Sequence, residues 1–117
     1  MSHESQLVVP DSFRALYLDA RRQRLLIPVA DLQARAELCE DLAQQLLDQA
    51  QRLHHDLGLD QADVLLRCHA GLRDPSSGLT QGEAGWVVLR LAELAGWPWQ
   101  EWSDLLTTST TSGQPAA

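Results

Sequence analysis

Between Leu32 and Leu57 an apolar residue returns every three or four positions: Leu32, Ala36, Cys39, Ala43, Leu46, Ala50, Leu53 and Leu57. Steps that alternate between four and three keep all of these side chains on one face of a single long helix. Such a seam must be covered, either by the rest of the chain or by a partner. Leu38, Leu42 and Leu47 lie beside it, so the apolar face is wider than a two-stranded coiled coil requires. A wide face suits the core of a single-chain bundle. The alanines at 36, 43 and 50 allow a neighbouring helix to approach closely, whichever chain supplies it.

The remaining punctuation is also helical. Residues 1–9 read as a flexible N-terminus, and Pro10-Asp11-Ser12 opens a short helix carrying Phe13, Leu16 and Tyr17. A rival reading pairs Arg14–Leu18 with Arg24–Ile27 as a hairpin, but Asp19–Gln23 lacks the Gly or Asn that tight turns favour. Residues 19–28 are then a loop closed by Pro28. Asp31 is the expected N-cap of the long helix, which runs to Leu57 and stops at Gly58. Within it Asp48 and Arg52 have ion-pair spacing. Asp60 caps a helix over 61–70 that ends near Gly71, and residues 73–78 are loop chemistry. Thr80 and Glu83 form a capping box. The helix they open carries Ala84, Val87, Val88, Leu91, Leu94 and Ala95 and stops at Gly96. Pro98 begins a last short helix through Leu106, and 107–117 form a disordered tail with nothing to bury. The expected fold is all-α, a compact bundle of four to five helices with one long central helix in a single domain over 10–106.

Charge narrows the possible partners. The nine basic residues are all Arg, set against sixteen carboxylates, for a net charge of −7. Four Arg precede residue 25, whereas the rest of the chain holds five against thirteen carboxylates. An acidic body repels phosphate, so nucleic acid is not an expected partner. No apolar run has the length needed to span a bilayer, and no leader pattern opens the chain. Cys39 and Cys68 fall in helical contexts and read as reduced thiols, which points to a cytoplasmic protein.

No cluster converges on chemistry. The His54-His55 side chains diverge by about 100° on a helix, which disfavours a shared metal ion. Cys68-His69 diverges in the same way and lacks an orienting third group. Neither a cofactor nor a metal is expected. Four Trp fall between 86 and 102, in a chain with one Phe and one Tyr. Trp97, just past the Gly96 stop, is placed to fold back on its helix. Trp99 and Trp102 share a face, and Trp86 is expected to be half exposed, stacked on Arg90 four residues on. These four Trp, with the basic cluster Arg21, Arg22 and Arg24, are the candidate partner-binding residues, set against plainer readings as an aromatic lid and a self-paired loop.

The segments Pro10-Asp11-Ser12-Phe13, Glu37–Ala43, Glu83–Val88, Arg90–Leu94 and Gly96-Trp97-Pro98 resemble a group of short proteobacterial proteins, some bearing the label "ATPase with chaperone activity". The resemblance spans about residues 10–98 and implies a nucleotide-handling chaperone role. The chain departs from that role in having no Gly-rich loop followed by Lys, and no Lys at all, so intrinsic P-loop ATPase activity is discounted. The extension from Trp99 to Ala117 is less typical of the group. The leading expectation is a non-catalytic interaction or adaptor protein with a protein partner, and a chaperone association is implied by the resemblance. The alternatives are a nucleotide-binding or enzymatic protein with a dispersed site at Arg21, Arg24, Asp56 and His69, and a homodimer through the long helix.

Overall fold

After Val29 the chain has no β-branched residue, Gly or Pro until Gly58, and Ala, Leu, Gln, Glu and Arg fill most of the positions between. That composition sustains the longest element of the computed structural model, which describes residues 9–21 and 23–98. Four α-helices follow in order: α1 Asp11–Arg14, α2 Val29–His55, α3 Gln61–Arg73 and α4 Gln81–Ala95. Short 3-10 turns extend α1 (Ala15–Tyr17) and lie within the α3–α4 link (Pro75–Ser77). No strand occurs among the described residues. The expected helix through Leu106, the tail 107–117 and most of the N-terminal stretch 1–9 lie outside them. Val9, the one described residue of that stretch, packs against the core.

The long seam is the spine of the core. Leu32, Ala36, Cys39, Ala43 and Ala50 are buried, and Leu46 and Leu53 pack half-buried against the same cluster. Leu57 falls beyond the helix end and is 68% exposed. Opposite the seam lie Val64, Leu65 and Leu72 of α3 and Ala84, Val87, Val88, Leu91 and Ala92 of α4. Each fully buried Val or Leu contributes about 1.5–3 kcal/mol relative to exposure.

Side-chain ties show that α2 and α4 run parallel. Arg35 meets Glu83, Glu40 meets Arg90, and His54 meets Trp97, in the same order along both helices. The short turn at 56–60 makes α3 the return stroke between them. The helix ends follow from local chemistry. At Gly96 the backbone enters the left-handed region (φ 77°), and the Trp97 amide reaches back to the Ala92 carbonyl at 2.9 Å.

Several boundaries differ from the sequence expectation. Pro28, not Asp31, sits at the N-cap of α2, because its fixed φ of −62° already sets the helix entry; Asp31 lies in the first turn, where its charge favours the helix dipole. Asp60 holds the N-cap position of α3, but its side chain makes no capping bond. Gly71 is interior to α3, which continues to Arg73 and ends where Asp74 is pushed into extended backbone by Pro75. Asp48 and Arg52 do not pair; the contacts at this spacing are Glu40–Gln44 at 2.7 Å and Asp63–Arg67 at 3.6 Å.

Both readings of the N-terminal segment contribute. A helix and a 3-10 turn cover 11–17, and then Leu18 and Leu25 form one isolated antiparallel bridge. The Asp19 carboxylate accepts from the Gln23 amide at 2.9 Å, which supplies the turn without Gly or Asn.

Candidate functional site

Two regions of α2 carry the molecule's side-chain chemistry. The first faces α4. Thr80 and Glu83 form the expected capping box, with reciprocal bonds of 3.0 Å each. Glu83 is also fully buried, and its carboxylate gathers three further donors. Arg35 donates through Nε at 3.0 Å and Nη2 at 2.6 Å, and the Tyr17 hydroxyl donates as well. The same Arg35 Nη2 reaches the Gly78 carbonyl at 2.9 Å. One carboxylate therefore ties together the N-terminal segment, α2 and α4.

Burial alone would push the Glu83 carboxyl up. The Arg35, Tyr17 and Thr80 hydrogen bonds and the Arg35 charge overcome it and hold Glu83 below the ordinary carboxylate value. Tyr17 is raised by burial and then by the Glu83 carboxylate. Cys39 is pushed up to about 12, by burial first and the Glu83 charge second, so it is a protonated core thiol and not a nucleophile. Further along, Arg90 forks onto Glu40 at 2.8 and 3.1 Å and reaches Glu93 at 3.0 Å.

The second region faces α3. Leu46, Gln49 and Leu53 of α2 and Arg67, Cys68, Gly71 and Leu72 of α3 line a groove of about 220 Å³. Its floor is apolar. Gly71 contributes no side chain, and a Cβ built there would meet nothing within 4 Å. Arg67 stands at the rim with its side chain 61% exposed, and among the described residues Asp63 is its ion-pair partner at 3.6 Å. Cys68 is half-buried and its thiol is raised by burial.

The residues singled out from sequence separate clearly. Trp86 is not stacked on Arg90. It is buried, because α1 covers the flank of α4 that the core periodicity leaves over. Phe13 meets its ring edge-on at 5.2 Å, and Nε1 donates to Ser12 Oγ at 2.8 Å, while Arg90 is drawn to Glu40 and Glu93. Trp97 does fold back, buried at 7% exposure against His54 with ring centroids 5.3 Å apart. Neither ring is presented at the surface. Trp99, Trp102 and Arg22 lie outside the described residues, and Arg21 and Arg24 are exposed.

The dispersed nucleotide site does not assemble. Arg24 precedes and Asp56 follows α2, whose 27 residues separate its ends by about 40 Å, and His69 is buried at 4% exposure. His54 and His55 lie edge-on at 4.9 Å, and His54 Nδ1 is 2.7 Å from the Leu59 carbonyl. Since a carbonyl only accepts, that nitrogen carries the proton, and the ring closes the α2–α3 turn. Among the described residues no group of three or more His, Cys, Asp or Glu is arranged to hold a metal. Nor is any described helix long and apolar enough to cross a membrane.

Sequence reading finds Glu83 as a cap but misses it as a hub, since its partners Tyr17 and Arg35 lie 66 and 48 residues away. The groove is also missed. Its one legible sign is Gly71, read as a helix stop. The chain matches no family model, no curated protein and no solved structure.

Proposed function

We propose that the chain is a small non-catalytic helical interaction module, an adaptor, and that its working surface is the groove between α2 and α3. The supporting observation is the groove's size and lining. At about 220 Å³ it is smaller than the roughly 300–1,000 Å³ of a small-molecule or cofactor site. It suits the insertion of one or two leucine-sized side chains. The occupant is an amphipathic helix of a partner protein, with its apolar stripe on Leu46, Leu53 and Leu72 and a carboxylate facing Arg67. The positive rim residue of an otherwise acidic body selects for that carboxylate.

The sequence resemblance suggests that the partner belongs to a chaperone assembly, with a cytoplasmic setting for the two free thiols. Trp99 and Trp102 are the candidates for a second anchor. A homodimer through α2 is the weaker reading: Leu38, 40% exposed, is the single exposed leucine of that helix, against the ~800 Å² per partner of a stable interface.

The test is selection of helical peptides from a displayed library against the intact chain. Binders carrying leucine-type residues at i, i+4 and i+7 with an added carboxylate are expected, and Arg67→Glu should reverse the preference to a basic residue. Binders indifferent to Arg67→Glu and without that spacing would overturn the reading.

A further inference from the structure

Residues 11–18 lie as a strap across the first turns of α4, and their seat has a distinct composition. Gly82 permits the approach, since a Cβ there would stand 3.2 Å from Leu16 Cδ2. Phe13 inserts its ring, fully buried, between Trp86 and Tyr17 at centroid distances of 5.2 and 5.9 Å. Two side-chain bonds fasten the edges, Trp86 Nε1 to Ser12 Oγ and the Tyr17 hydroxyl to Glu83. The strap's backbone bonds run to Pro10 or to Leu26, and among the described residues none joins it to α2, α3 or α4.

Glu83 decides what happens when the strap moves. Removing the sole partner of a buried carboxylate leaves an uncompensated charge, which is strongly unfavourable. Glu83 does not face that cost, because Arg35 of α2 and the Thr80 amide hold both of its oxygens independently of Tyr17. The bundle keeps its charge pair whether or not the strap is seated. We propose that the strap is a detachable cover: it lifts from α4 as a unit while α2, α3 and α4 stay folded, baring an acidic and aromatic seat of Gly82, Glu83 and Trp86. Tyr17 shows what the seat accepts, an aromatic side chain that carries a hydrogen-bond donor. This inference is independent of the groove on the α3 side.

Hydrogen exchange measured by mass spectrometry on the full chain tests it. Strap amides at 14–18 should exchange at least tenfold faster than α4 amides at 87–92, through an opening with weak denaturant dependence. Tyr17→Phe removes one hydrogen bond to a charged acceptor and should speed strap exchange about tenfold or more, with α2 and α4 unchanged. Gly82→Ala, which crowds Leu16 while leaving every polar tie in place, should show the same selectivity. The proposal fails if strap and α4 exchange at one rate with one denaturant slope, or if Tyr17→Phe accelerates all helices in step. Fast strap exchange that ignores both substitutions would equally overturn it, by removing Glu83 and Gly82 as the clasp.

Discussion

The two flanks of α2 are built on opposite principles. Toward α4 the helix offers alanines and a cysteine for close approach, and every charged group at that contact has its counterpart: Arg35 with Glu83, Glu40 with Arg90. Toward α3 it offers half-buried leucines beside a glycine and leaves space between them. A flank with interlocking charges tolerates little change, because removing one member strands the other. A flank with a groove tolerates filling. Under the proposed function, stability belongs to one side of the helix and recognition to the other.

That division makes graded predictions. Glu83→Ala should be the most damaging substitution, since it strands Arg35 and removes the Tyr17 tie and half of the capping box. A loss of about 3–5 kcal/mol is expected for breaking such a pair, read from urea unfolding followed by far-UV circular dichroism. Ala43→Leu forces extra volume into a fully buried position and should cost about 1–3 kcal/mol in the same assay. A loss no greater than that of a surface substitution in either case would break the contrast.

Acid should act in a defined order. Burial, followed by the nearby Arg73 charge, holds His69 below its ordinary value of 6.5. The folded chain therefore binds that proton less readily than the unfolded chain does. The stability carried by neutral His69 is full above pH 6.5 and is lost as the pH falls through its depressed folded value. Glu83, depressed relative to its ordinary 4.5, adds a second loss of the same sign at lower pH. Thermal melts from pH 8 to pH 3 should show both descents, and His69→Gln should flatten the first alone.

The smallest change is expected at Gly71. Ala replaces a flexible helix-interior residue where a Cβ has open space, so Gly71→Ala should leave stability unchanged or raise it by about 0.5–1 kcal/mol, measured by urea unfolding.

How much of this was legible in sequence follows the range of the interactions. The seam from Leu32 to Leu53, the Thr80–Glu83 box and the Gly96 stop depend on neighbours within a few residues, and each appears where its spacing places it; Leu57 falls outside because α2 ends at His55. The start of α2 and the end of α3 differ from expectation because Pro28 and Pro75 govern the backbone more strongly than the Asp and Gly signals beside them. Trp86 departs from its expected half-exposed place because periodicity describes one face of α4, and the strap that covers another face meets it through Ser12, 74 residues earlier. The Glu83 hub and the groove are products of packing. Tyr17, Arg35 and Glu83 carry no mutual spacing rule, and Gly71 reads as punctuation until α2 is set beside it.

The division between the two flanks is tested most directly by Gly71→Leu, with peptide affinity and unfolding free energy measured on the same preparation. The Cβ at this position meets nothing within 4 Å, and the side chain beyond it is directed to fill the groove of about 220 Å³ that Gly71 lines. The account predicts stability equal to or above that of the parent chain, together with loss of binding to the helical peptides selected on it. Undiminished peptide binding by a folded Gly71→Leu chain would contradict it.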